Sequence, residues 1–461
     1  MNIARQRLSA REASDEGFSL IEVLVGLMVF SVIATGVAYT MLAALSATSD
    51  SQARVEASNL AAQEIDLDRS IADLFDLLDS DTYVQVNGVG RTYHIHRAAQ
   101  WVSDPAVTQK CGAGGGVLKY KSVNVTVSWT GTSNSTRSVT ASTLIDPGTR
   151  LNDPALGTIL VSVITASGSG SAGVTVTATP STVANGAQAI TTTIDPTDAQ
   201  GCTYILQVVP GNYDVKIAKT GFLDVNQASS STVTVGVIAG AAASVGLQFD
   251  NAGSFGLTYA SNYTPGGVTI PTNLSTSFLS TYGTYVTSTP STPVKLYPFT
   301  AGYQIIAGTY VDPSLPSQGC ASVDPSTWLA GTNAAGVAMK AGVRPSAVAA
   351  VPGGAAPTAV VAMGVTRVSG LSSNPYISAV ETSGASNTGD PGCVVTASYS
   401  LGRVTSSSFL AGLPFGSWKL YTSSTLGGAT TPIAAANLGV LTGGSVDSSG
   451  IVTLDPRQVG P

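Results

Sequence analysis

Residues 18–45 read FSLIEVLVGLMVFSVIATGVAYTMLAAL, 28 residues with one charged side chain, Glu22. At about 1.5 Å per residue the run crosses a hydrocarbon core of ~30 Å with length to spare. It follows MNIARQRLSAREASDEG, whose basic residues are Arg5, Arg7 and Arg11, and no further Lys or Arg occurs before Arg54. That asymmetry predicts a single-pass membrane anchor with its amino end on the cytoplasmic side. No small-residue cleavage site follows the apolar run, which argues against a removable secretory signal. A carboxylate inside a membrane helix costs about 2.5–3.5 kcal/mol, so Glu22 reads as a functional residue.

The order Gly17-Phe18-Ser19-Leu20-Ile21-Glu22-Val23-Leu24-Val25 resembles the processing signature of type IV prepilins. The resemblance implies that a prepilin peptidase cleaves between Gly17 and Phe18 and that Phe18 is N-methylated. It also implies a helix that anchors in the membrane first and later packs in a filament core, with other pilins and a pilus assembly platform as partners. Glu22 would then form an assembly salt bridge with the free amine of a neighbouring chain. One departure is the leader, where Glu12, Asp15 and Glu16 offset the arginines.

No proline interrupts residues 18–80, which predicts one helix of about 90 Å. Beyond the membrane its expected packing stripe is Leu60, Leu67, Ile71, Leu74, Phe75 and Leu78, at spacings of three and four. Asp73, Asp76, Asp79 and Asp81 sit where the helix dipole disfavours anions, so fraying is expected there. YVQVNG, RTYHIHRA and YKSVNVTVSW alternate apolar and polar residues around Gly- and Asp-rich turns, predicting a small antiparallel sheet over residues 82–146.

The remainder changes character. Charged residues are only 10% of the chain, with 50 Gly, 23 Pro and a net charge of −6. Such a composition suits short strands and tight turns, and the absence of a basic run disfavours nucleic acid as a partner. Pro210-Gly211-Asn212-Tyr213, Pro298-Phe299-Thr300-Ala301-Gly302-Tyr303 and Pro414-Phe415-Gly416-Ser417-Trp418 form a loose repeat. In each, an apolar strand meets Pro, turns through Gly and re-enters a strand at an aromatic residue. Seven candidate strands surround the first: TILVSVIT, GVTVTATP, AITTTIDP, TYILQVVP, YDVKIAKTGF, STVTVGVIAG and ASVGLQFD. Asp198-Ala199-Gln200-Gly201-Cys202-Thr203-Tyr204, Val209-Pro210-Gly211-Asn212-Tyr213-Asp214-Val215 and Lys219-Thr220-Gly221-Phe222 resemble the carboxypeptidase-regulatory-like, transthyretin-like sandwich family. That family implies a fold and a spacer or binding role.

The fold class that follows is α+β and then all-β. A long amino-terminal pilin helix carries a small antiparallel sheet head, and about three β-sandwich modules come after it. The expected divisions are 1–17 leader, 18–52 transmembrane and filament-core helix, and 53–150 amphipathic helix with β head. They continue as 155–250 carboxypeptidase-regulatory-like sandwich, 251–340 second β module and 341–461 third sandwich.

Cys111, Cys202, Cys320 and Cys393 are far apart and none forms a CxxC pair. On an exported protein they predict two disulfides in one of three connectivities; Cys111–Cys202 and Cys320–Cys393 are favoured here. Of the two histidines, His94 and His96, both fall on one face of a predicted strand and could grip a metal. With no third ligand of that kind in the sequence, a solvated strand surface is the preferred reading, and no metal or cofactor is expected. No G-x-S-x-G elbow, P-loop or dinucleotide fingerprint occurs. No catalytic residue is therefore assigned and the chain is not expected to be an enzyme. The expected role is a minor pilin at or near the tip of a type IV pilus-like filament, presenting β modules to a glycan or protein ligand. The alternative is a pseudopilin of a type II secretion or DNA-uptake machine that contacts cargo. Before assembly the chain belongs in the cytoplasmic membrane, and after assembly on the cell surface.

Overall fold

In the computed structural model, residues 19–86, 91–102, 111, 118–131, 135–147, 153–183, 185–312, 320–372, 374–382, 388–393 and 396–459 are described. The chain divides into two units, Met1–Trp101 with Tyr120–Gly148, and Val102–Lys119 with Thr149–Pro461.

The first unit is built on helix α1, Leu20–Arg69. The expected continuation to residue 80 does not form. At Ser70 both the hydroxyl and the backbone N–H turn back onto the Leu67 carbonyl, at 2.6 and 3.0 Å. Tertiary bonds then hold the segment that follows. Arg97 Nε donates to Leu78 O (2.9 Å), Lys121 Nζ donates to Leu74 O (2.7 Å), and Asp79 Oδ1 accepts the Ala99 N–H (2.6 Å). These side-chain bonds fix the segment in a non-helical path, and the clustered aspartates oppose the helix's negative end.

The packing stripe also differs from the expected one. Ala53, Ala57, Ala61, Ile65 and Asp68 are the buried positions of α1, while Leu67 is 55% exposed. Alanine every fourth residue makes a narrow flat strip on which a sheet can approach the helix backbone closely. Asp68 is tolerated there because Arg97 Nη1 reaches its carboxylate at 2.6 Å and that of Glu64 at 3.1 Å.

The sheet laid on this strip has the order β1 (Ser80–Gln85), β2 (Thr92–Val102), β3 (Tyr120–Thr130), β4 (Thr136–Ile145). Period-two burial shows plainly in β3, where Val123, Val125, Val127 and Trp129 point inward. In β2 Tyr93, Ile95, Ala99 and Trp101 point inward, which leaves His94 and His96 on the outer face.

The second unit begins with a sandwich. One sheet has the order β10 (Ser230–Val237), β8 (Gly211–Ala218), β6 (Thr175–Pro180). The other runs β7 (Cys202–Val208), β5 (Gly157–Ile164), β11 (Ala242–Asn251), β9 (Phe222–Asp224), with β5 and β11 parallel. Ile159, Val161, Val176, Ile205, Tyr213, Val215, Ile217 and Phe249 fill the space between them. Six of the seven expected strands form. AITTTIDP stays outside any ladder, although Ile190 and Ile194 still pack on the core.

From residue 251 onward the strands do not separate into two sandwiches. Leu257–Tyr259 pairs with Ala359–Val361, and Val268–Thr269 pairs with Leu410–Ala411, both in parallel. A single hydrophobic cluster reaches from Phe255 to Leu454 and includes Phe278, Tyr303, Trp328, Leu413 and Trp418. The boundary expected between residues 340 and 341 runs through this one core. The Pro-Gly repeat marks something else, a corner at which the chain changes sheets. Across Pro210 it passes from the β7 sheet to the β8 sheet, and across Pro414 from Phe409–Leu413 to Gly416–Ser423. Gly211 (φ 153°) and Gly416 (φ 135°) take backbone conformations that L side chains rarely adopt.

Candidate functional site

The candidate site lies at the start of α1. Ser19 caps it in an extended conformation, and its carbonyl accepts the N–H groups of Glu22 (2.9 Å) and Val23 (3.2 Å). Glu22 lies in the first turn, where the positive end of the helix dipole favours a carboxylate. Among the described residues Glu22 has no ion-pair partner within its own chain. Gly17 and Phe18, the expected cleavage and methylation residues, lie outside the described residues.

Behind Glu22 the helix is apolar all round, and among the described residues nothing covers its most apolar window. Leu20, Met28, Phe30, Val32 and Leu42 are all at least 66% exposed. The polar side chains in this stretch satisfy themselves inside the helix. Ser31 Oγ donates to Leu27 O (2.6 Å), Thr35 Oγ1 to Ser31 O (2.6 Å) and Thr40 Oγ1 to Val37 O (2.8 Å). A helix whose serine and threonine hydroxyls bond to its own backbone, on a mostly apolar surface, suits lipid or the matching helices of other chains.

The cysteines form two bonds, Cys111–Cys202 and Cys320–Cys393, both inside the second unit. Beside the second lies Glu381, 1% exposed, with Oε2 against Cys320 Sγ and Oε1 against Cys393 Sγ. Burial pushes the Glu381 carboxyl up to about 8, against the pull of the Ala397 N–H and with help from the Asp390 charge. Nothing in the sequence marked this residue, because a glutamate within the strand Tyr376–Glu381 ordinarily reads as solvated.

On the outer face of the head sheet, Asp81 stands opposite His96 in the β1–β2 register. Its Oδ1 lies 2.8 Å from His94 Nε2 and 3.0 Å from His96 Nδ1. The hydrogen bond from His96, joined by that from His94, holds the Asp81 carboxyl below its usual range. The two histidines were visible in the sequence, but this carboxylate reaches them only through strand pairing. At the tip of the hairpin Thr276–Leu279 and Thr284–Thr287, Tyr282 is 57% exposed and stacks on Phe299. Ser280, Thr281, Gln304, Tyr310, Asp312 and Arg344 line a cleft beside that tip.

Residues 13–38 match the family model described as the prokaryotic N-terminal methylation motif. No curated protein matches the chain. Among solved structures the chain is similar to the TIE protein of Bacillus anthracis, at 12% identity over 75% of this chain and 68% of that one, with a TM-score of 0.19. A streptococcal ancillary pilin is 8% identical over 75% of this chain and 80% of its own, also at 0.19. The major pilin subunit of Bacillus cereus is 9% identical over 66% of this chain and 93% of its own, at 0.17. TM-scores this low do not define a common fold. The methylation motif carries the assignment, since it implies processing by a prepilin peptidase and assembly with other pilins. The amino-terminal methylation motif, at the head of a long apolar helix, supports a type IV pilin-like protein.

Proposed function

We propose that this chain is a minor pilin, located at or near the tip of a type IV pilus-like filament, that presents its second unit for attachment. The observation that carries the reading is the division of labour along the chain. Among the described residues, residues 20–45 expose an apolar helix that nothing covers, and the hydrophobic clusters of the second unit contain no residue of that helix. Shaft subunits pack side by side, so a body of some 300 residues on every copy would crowd a filament surface. One copy at the tip avoids that conflict.

In this reading Arg5, Arg7 and Arg11 hold the amino end inside the cell before processing. Cleavage after Gly17 frees the Phe18 amine, and Glu22 pairs with such an amine on a neighbouring chain. The second unit offers a low-charge surface rich in hydroxyls and aromatics, of which the exposed Tyr282 and the adjoining cleft are one example. Surfaces of that kind bind through hydrogen bonds and ring contacts rather than by charge steering, which favours a glycan or protein ligand. No reaction is assigned to the chain.

The test ends the chain after Pro147 and scores both filament number and attachment, alongside the abundance of the full chain in sheared filaments. Normal filaments with lost attachment, and a full chain present at low stoichiometry, are expected. Unchanged attachment, or a full chain as abundant as the main subunit, would overturn the proposal. Loss of filaments would make the chain an initiating subunit rather than an adhesive one.

A further inference from the structure

Cys320 and Cys393 face each other across an antiparallel bridge and are joined as a disulfide. Glu381 ends the strand Tyr376–Glu381 beneath it, buried, with Oε2 at Cys320 Sγ and Oε1 at Cys393 Sγ. A disulfide sulfur carries no proton, so the hydrogen at these contacts must come from the carboxyl. Burial favours that neutral form, and the Asp390 charge acts in the same direction against the Ala397 N–H. Asp390 itself accepts from the hydroxyls of Ser322 and Ser417. The other titratable group near Glu381 is the Tyr399 phenol, which burial keeps neutral. Among the described residues no Lys or Arg forms an ion pair with Glu381. The two sulfurs differ in access. Cys320 is buried and packs with Leu279, Ile306 and Val323, whereas Cys393 is half-buried and follows the exposed Pro391.

We propose that Cys320–Cys393 is an exchange-active disulfide, opened at Cys393 by low-molecular-weight thiols, with Glu381 as proton donor to the departing Cys320 sulfur. The attacking thiolate bonds to Cys393 Sγ as the bond between the two cysteine sulfurs breaks, and the electron pair leaves on Cys320 Sγ. Glu381 passes its proton from Oε2 to that sulfur. The products are a mixed disulfide on Cys393, a Cys320 thiol and a Glu381 carboxylate. A second thiolate attacks the external sulfur of the mixed disulfide and releases Cys393, which takes its proton from water. Two thiols are thereby oxidised to one external disulfide while the protein's disulfide is reduced by two electrons.

Access and leaving group select the same direction of attack. Cys393 is the sulfur nearer solvent, and a thiolate left at Cys320 would stand among apolar side chains, where an ionised group is costly. A free thiol titrates near about 8.5 and apolar burial raises that value, whereas Glu381 titrates at about 8, so the proton moves downhill to sulfur. Cys111–Cys202 lacks these features among the described residues. Both of its cysteines are buried, and Cys202 meets a carboxylate only through its backbone N–H, at 2.8 Å from Asp198 Oδ1. The pH dependence has a definite sign. Per external thiolate, opening is level while Glu381 holds its proton and falls as pH rises through about 8.

The experiment exposes the full chain in detergent to reduced glutathione over a range of pH, quenches by alkylation and maps both disulfides by peptide mass spectrometry. In the wild type Cys320–Cys393 is expected to open well before Cys111–Cys202, with the glutathione adduct on Cys393. Its rate per thiolate should break downward near pH 8. E381Q keeps the shape of the side chain but has no proton to give. It should open at least about tenfold more slowly near neutral pH and show no such break, with Cys111–Cys202 and the circular dichroism spectrum unchanged. An adduct on Cys320, a common rate for the two disulfides, or equal rates in wild type and E381Q would each overturn the proposal. The wild-type profile decides without any variant, since a rate per thiolate that passes pH 8 without a break would also overturn it.

Discussion

Glu22 stands in the first helical turn of an otherwise uncharged surface, and the two environments of a pilin treat it oppositely. In lipid the carboxylate is a cost; in a filament it can meet an amine. Glu22→Ala should therefore insert into membranes at least as well as the wild type. It should enter filaments poorly, because removing one partner of a buried ion pair costs about 3–5 kcal/mol. Membrane-fraction and filament-fraction immunoblots separate the two effects, and wild-type incorporation would refute the pairing. Glu381 gives a second prediction of this scale. Between its ordinary value of 4.5 and its folded value of about 8, the folded chain keeps a proton that the unfolded chain has released. Its contribution to stability is therefore full below pH 4.5 and is lost as pH rises through about 8. The decline is about 1.4 kcal/mol per pH unit in between. Glu381→Gln should flatten that decline in denaturant titrations followed by tryptophan fluorescence.

Among elements, α1 separates what was legible in the sequence from what was not. Its existence was plain, because a long run without charge or proline leaves few alternatives. Its packing face was hidden, because the strip Ala53, Ala57, Ala61 is small and the larger Leu60 and Leu67 set a competing period. Leu67 points outward, while Leu77, fully buried, lies beyond the helix end in a segment that the sequence read as helix. The carboxylate beside the histidines was illegible for a similar reason. Asp81 lies 13 residues before His94, and only the β1–β2 register joins them. The alanine strip makes its own prediction. Ala57, with no exposure, has no room for a longer side chain, so Ala57→Leu should lower the head's stability by about 1–3 kcal/mol. Val55→Leu on the exposed side of the same helix should leave it nearly unchanged. Thermal unfolding of the two variants compares them directly, and equal melting temperatures would mean that the strip is not a packing face.

At the scale of the whole molecule, the turn signals were readable but the way strands combine was not. Pro210 and Pro414 each mark a strand–corner–strand passage, yet the first serves a sandwich complete in itself and the second serves a core gathered from both sides of residue 340. Parallel pairs such as Leu257–Tyr259 with Ala359–Val361 leave no local pattern, because about a hundred residues separate the partners. The consequence is a sharp difference between two truncations. A chain ending at Asn251 keeps every residue of the β5–β11 core, from Ile159 to Phe249. One ending at residue 340 retains Phe255, Phe278, Leu296 and Tyr303 but loses Val361, Leu413, Trp418 and Leu454, which belong to the same cluster. Exposed apolar surface of that extent drives aggregation or degradation. Limited proteolysis should therefore trim the longer chain back to the neighbourhood of residue 251 and leave the shorter one intact over β5–β11. A stable, protease-resistant fragment covering residues 251–340 would show instead that this segment folds alone, and the shared core would have to be abandoned.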